Sequence, residues 1–105
     1  MTIAIIGGKR YNTATAEFVA EWSNNLGCSD FRNCDEALYR TKNGAWFTCG
    51  SGGPLSRYAR PVGNGRTGSC DVIRQLSADE ALEWLENHRE TDAIERYFAA
   101  VTVDA

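Results

Sequence analysis

The chain reads as a small single α+β domain: an antiparallel sheet of three to four strands with a β-hairpin at residues 36–49, one N-terminal helix and two C-terminal helices. Three observations carry that expectation. A length of 105 residues allows one core and no second domain. Asn43-Gly44 stands between two apolar runs, the strongest short-range hairpin signal a sequence offers. After Ser77 the apolar residues recur at helical spacing to the end.

Taken in order, Ile3-Ala4-Ile5-Ile6 is short and rich in β-branched residues, and Gly7-Gly8 bounds it as a turn would bound a strand. Asn12 or Thr13 can cap a following helix, whose apolar face would be Phe18, Val19, Trp22 and Leu26 and whose stop would be Gly27. Around Asn43-Gly44, strands of about residues 36–42 and 45–49 should pair through a type I′ turn. A two-residue turn sets Lys42 opposite Ala45, Arg40 opposite Phe47 and Leu38 opposite Cys49. Leu38, Phe47 and Cys49 then share one face, and Tyr39 and Trp46 the other.

Residues 50–69 hold most of the glycine with Pro54 and Pro61, and read as one long irregular connection. Asp71 to Leu76 follows as a strand. Ser77 and Glu80 fit a capping box, and Ala81, Leu82 and Leu85 give the next helix its core stripe. A second helix should begin near Thr91, with Ile94, Tyr97, Phe98 and Val101 at i, i+3, i+4 and i+7.

Composition excludes several classes. Hydrophobic residues make up 43% of the chain, too many for a disordered segment, and the apolar run at the start is too short for a membrane span or a signal peptide, which points to the cytosol. The net charge of -3 conceals a division: residues 1–77 carry nine bases against six acids, and residues 78–105 carry two against eight. The C-terminal helices should therefore present an acidic surface, suited to a basic partner such as a nucleic-acid-handling protein.

Chemistry finds little support. Cys28, Cys34, Cys49 and Cys70 are separated by five, fourteen and twenty residues, without the close pairs of a structural zinc site. Cys28 and Cys34 near Asp30 form the least improbable pair, but reduced packing thiols and no metal are expected. Gly50-Ser51-Gly52-Gly53-Pro54-Leu55-Ser56 invites a phosphate loop, yet it lacks the Gly-Lys-Ser/Thr ending and dinucleotide glycine spacing, and Pro54 removes a donor. The single histidine, His88, falls near a helix C-terminus, where it suits the helix dipole better than a catalytic pair. No cofactor and no catalytic residue is expected.

Binding is the better prospect. Trp46, Arg57, Tyr58, Arg60 and Arg66 are candidate anchors, and Asp79, Glu83, Glu86 and Glu90 candidate acidic contacts. Arg57, Tyr58, Arg60 and Arg66, with Arg74 nearby, could also neutralise phosphates or stack on bases, which gives an alternative reading as a nucleic-acid-binding accessory protein.

The segments "KRYNTATAEFVAEWSN" at 9–24, "DFRNCDEALYRTKNGAWF" at 30–47, "GGPLSRYA" at 52–59 and "IRQLSADEALEWLENH" at 73–88 resemble, over nearly the whole chain, a family of small proteins carried by phages, plasmids and conjugative elements. The resemblance implies a mobile-element protein, with an anti-CRISPR protein acting on a Cas9-class nuclease as the expected activity and the bacterial host cytosol as its place. It implies no catalytic residue. The implied partner is a host CRISPR effector, the Cas nuclease or its guide-RNA complex, which holds nucleic acid in positively charged channels.

Overall fold

The computed structural model describes residues 2–26 and 30–101. The chain forms β1 (Ile3–Ile6), β2 (Lys9–Asn12), β3 (Glu17–Ser23), β4 (Cys34–Arg40), β5 (Trp46–Gly52), β6 (Arg60–Val62), β7 (Gly65–Thr67), β8 (Ser69–Leu76), α1 (Ala78–Asn87), α2 (Thr91–Phe98) and a closing 3-10 turn, Ala99–Val101. Four strands make the central antiparallel sheet in the order β3-β4-β5-β8, while β1-β2 and β6-β7 are separate hairpins. It is a small α+β domain, and its two helices are C-terminal.

The expected N-terminal helix is absent; its residues form β3. Phe18 pairs with Tyr39 and Ala20 with Leu38, so Val19 is the extra residue of a β-bulge. The bulge explains the misleading pattern. It lets Val19, Ala20 and Trp22 reach the core on one side while Phe18 turns to the other, which places apolar residues at 18, 19 and 22 much as a helix would. Asn12 does not cap a helix; its side-chain oxygen accepts the Ala14 N–H at 2.9 Å, in a turn that leads into the strand. The expected helix stop at Gly27 and the thiol of Cys28 lie outside the described residues.

The hairpin around Asn43-Gly44 exists with a different register. Arg40 pairs with Trp46, Tyr39 with Phe47 and Leu38 with Thr48, one residue away from the expected pairing. The loop has three residues rather than two: the Gly44 N–H reaches Thr41 O at 2.9 Å, the Thr41 N–H reaches Ala45 O at 2.8 Å, and only Gly44 has positive φ (+85°). That is a turn closed by a glycine bulge instead of a type I′ turn. A one-residue shift exchanges faces. Leu38 therefore sides with Trp46, and Phe47 and Cys49 side with Tyr39.

The two faces have different covers. On one, Ala20, Leu38 and Trp46 meet Ala81, Trp84, Leu85 and Phe98 from the helices. Trp46 is only 5% exposed, stacked on Phe98 at 5.3 Å and edge-on to Tyr97 at 5.5 Å. On the other, Tyr39 stacks on Phe47 at 5.2 Å, Phe18 and Tyr11 pack edge-on, and the Tyr11 hydroxyl donates to Gln75 at 3.1 Å, which fastens the β1-β2 hairpin.

Both helices begin where the sequence places them. The Ser77 hydroxyl accepts the Glu80 N–H, and Glu80 accepts the Ser77 N–H, completing the capping box. Helix α1 ends with Arg89 at φ +57°, with Arg89 N–H to Glu86 O (3.2 Å) and Glu90 N–H to Leu85 O (2.9 Å), the paired bonds of a Schellman motif. The connection at 50–69 is less irregular than expected. Strand β5 continues to Gly52, and Gly63, at φ +51°, leads the two-residue turn of the β6-β7 hairpin. Among the described residues no helix is long and apolar enough to cross a membrane.

Candidate functional site

The helices cover only one end of their face of the sheet. At the other end the segment after β5 folds back over it, with Tyr58 as the cover. Its ring lies against Gly50, where any side chain would overlap the Tyr58 hydroxyl, so the absence of a Cβ is what admits the ring. Beneath the ring sits Glu36, on the same face as Leu38, with its side chain 2% exposed. A buried carboxylate needs partners, and this one has two. Tyr58 donates its hydroxyl hydrogen to Oε2, and Arg57 Nη1 donates to Oε1 at 3.4 Å. Burial first, then the bond to Glu36, pushes the Tyr58 phenol well above its ordinary range.

Arg57 and Arg74 form a wall between two hollows. The first, of about 200 Å³, lies between the sheet and α1 and is lined by Glu36, Thr48, Arg57, Arg74, Glu83 and Trp84, among others. The indole N–H of Trp84 is buried without a hydrogen-bond partner. The second, a groove of about 330 Å³, contains Arg57, Tyr58, Arg60, Ser69, Val72 and Arg74 and has no carboxylate in its lining. Acidic and basic surfaces thus adjoin across two arginines.

The expected contact residues divide between surface and interior. Arg57, Arg60, Arg66, Asp79, Glu83 and Glu86 are exposed and Glu90 is half-buried. Asp79, Glu83 and Glu86 follow one another at i, i+4 and i+7 on α1, a single outward stripe, whereas Glu90 lies past the turn at Arg89, at the start of α2. Trp46 and Tyr58 are interior residues, each 5% exposed, and present no ring to the outside. Arg57 and Arg60 share the groove with Arg74. Arg66 is not in that lining: it pairs with Pro61, so strand alternation turns it away from Arg60.

Residues with chemical potential are occupied elsewhere. The His88 ring stacks on Trp22 at 4.7 Å and meets Trp84 edge-on at 4.4 Å, and burial holds its pKa below the ordinary value. Cys34 is buried, and burial raises its thiol pKa and that of Cys49, which keeps both in the unreactive protonated form. Cys34, Cys49 and Cys70 are free thiols. Among the described residues no group of three or more His, Cys, Asp or Glu is arranged to hold a metal ion.

Glu36, Thr48 and Trp84 were not singled out by sequence reasoning. One signal was available for Glu36: in any strand containing Leu38 it occupies the same face two positions away, so a carboxylate was bound to meet the core. Its partner Tyr58, across a glycine-rich segment, carried no comparable signal.

Compared with protein-family models, curated proteins and solved structures, the chain matches none.

Proposed function

We propose that this chain is a non-catalytic inhibitor protein of a phage or other mobile element, an anti-CRISPR protein that binds a Cas9-class nuclease in the bacterial host cytosol. The acidic helical surface occupies a positively charged nucleic-acid channel of the nuclease, and the arginine-bearing segment after β5 makes contacts beside it. The observation that supports this reading is the stripe of Asp79, Glu83 and Glu86, exposed on a helix held by a side-chain capping box at one end and by paired backbone bonds at the other. Charges on a rigid support keep their spacing when a partner approaches, so less ordering accompanies binding. The sequence resemblance to small mobile-element proteins supplies the choice of nuclease.

The test is cleavage of target DNA by a purified Cas9-class nuclease loaded with guide RNA, titrated with the chain. Inhibition should saturate near equimolar protein. Replacing Glu83 and Glu86 together by Lys should weaken inhibition at least about tenfold, since like charges brought into a basic channel cost several kcal/mol. Undiminished inhibition by that variant would remove the acidic-surface mechanism, and absence of any inhibition would remove the function.

A further inference from the structure

The groove beside Tyr58 belongs to neither the acidic stripe nor the core. Arg60 enters it from β6, Arg74 from β8 and Arg57 from the segment that Glu36 anchors, with the Ser69 side chain also in the lining. Among the described residues neither Arg60 nor Arg74 has a carboxylate within ion-pairing distance. Arg57 shares its charge with Glu36 yet keeps a side chain 53% exposed, so it is oriented without being withdrawn from the surface. Three guanidinium groups facing one hollow that no acid lines repel one another unless an anion joins them. Their planar forks match tetrahedral oxyanions.

We infer that this groove is a binding site for a backbone phosphate of single-stranded nucleic acid, held by Arg57, Arg60 and Arg74. The class of ligand follows from what adjoins the groove. Glu80 and Glu83 stand on the far side of the Arg57 and Arg74 wall, in the neighbouring hollow. A duplex, with phosphates on two strands, would bring one strand toward those carboxylates, whereas a single strand can enter from the β6-β7 side and keep clear of them. No base is read: Tyr58, the aromatic ring of the groove, is covered and has no free face for stacking. Glu36 acts as a positioning residue, because its carboxylate fixes the direction of Arg57. This inference does not rest on the inhibitor reading, and either can fail alone.

The experiment is fluorescence anisotropy of a labelled single-stranded RNA about ten nucleotides long, repeated over a range of salt, with duplex DNA and inorganic phosphate as competitors. The unaltered chain should bind the single strand more tightly than the duplex. Arg74→Ala and Arg60→Ala should each weaken binding about tenfold and flatten the salt slope by about 0.7, the change for one phosphate contact on a single strand. Arg74→Lys should keep most of the slope while losing affinity. Arg66→Ala, on the opposite side of its hairpin, should change affinity less than about twofold. All these positions are exposed, and unchanged thermal melting of each variant would establish that the fold persists. Equal losses from Arg66→Ala and Arg74→Ala would overturn the assignment to this groove. No binding of RNA at low salt, or binding of the single strand no tighter than that of the duplex, would overturn the single-stranded nucleic-acid ligand.

Discussion

The Tyr58 hydroxyl donates to the Glu36 carboxylate across 22 positions of sequence, and this bond fastens the glycine-rich segment to the sheet. Arg57 takes the other carboxylate oxygen, and Gly50 provides the space for the ring. One buried charge therefore holds down the cover of the sheet and aims an arginine outward.

Tyr58→Phe should lower stability by about 1.5–3 kcal/mol, the range for a hydrogen bond to a charged group, because Glu36 stays buried with Arg57 as its remaining partner. Urea denaturation measures it. The same variant has a signature at high pH. The folded-state pKa of Tyr58 lies above that of the unfolded chain, so its contribution is complete below the unfolded value near 10 and declines as pH rises beyond it. Replacing Tyr58 should reduce that alkaline decline, leaving the parts due to Tyr39, Cys34 and Cys49, whose acidic groups are also raised by burial. An unchanged alkaline limb would mean that the hydroxyl is not held as described.

Trp46 has a core role that a surface anchor would not have. Its ring is enclosed by Phe98 and Tyr97, with Arg40 over it at 5.7 Å. Trp46→Ala should cost about 3–5 kcal/mol through lost burial and the cavity left behind. Thermal melting decides the matter: a variant that melts with the parent chain would place Trp46 outside the core.

How much of this was legible beforehand depends on the range of the interaction involved. Ser77, Glu80 and the stripe through Ile94, Tyr97 and Phe98 act within one or two helical turns, and both helices begin where those residues indicate. Asn43-Gly44 located the hairpin, but loop length depends on whether Asn43 takes positive φ, and it does not. That single difference put Leu38 and Phe47 on opposite faces. The residues of β3 were misread because the bulge at Val19 breaks the alternation by which a strand is recognised. The link from Glu36 to Tyr58 is a product of tertiary folding that no local pattern encodes; Arg57, Arg60 and Arg74 stand out in the sequence as a basic cluster, but that they share one groove without Arg66 depends on how β6, β7 and β8 fold together.

His88 should make the domain sensitive to mild acid. Packed between Trp22 and Trp84, it is held below its ordinary pKa mainly by burial, with Arg57 adding to the effect and Glu36 and Glu90 opposing it. The unfolded chain then binds its proton first. Stability is complete above the unfolded value near 6.5 and falls as pH drops below it toward the folded value. His88 is the chain's only histidine, so between about pH 5 and 6.5 no second imidazole confuses the measurement. His88→Phe preserves a flat ring in the same place and should remove the decline across that window. Persistence of the decline in the variant would assign it to carboxylates instead.

Arg89 offers the converse case, a residue whose replacement should help. It ends α1 at φ +57°, where an L side chain carries a cost of about 1–2 kcal/mol and glycine almost none. Glycine also gains freedom in the unfolded chain, which returns about 0.4–1 kcal/mol of that advantage. The balance favours Arg89→Gly by about 0.5 kcal/mol, with both Schellman hydrogen bonds retained because they use only backbone atoms. Arg89→Ala serves as the control: it keeps the backbone cost and removes the long side chain, so its denaturation midpoint should stay near that of the parent. If alanine destabilised and glycine failed to stabilise, the guanidinium and not the backbone would govern this corner. Because the corner sets the angle between α1 and α2, the glycine variant should hold Asp79, Glu83 and Glu86 in place and leave partner affinity unaltered while the midpoint rises.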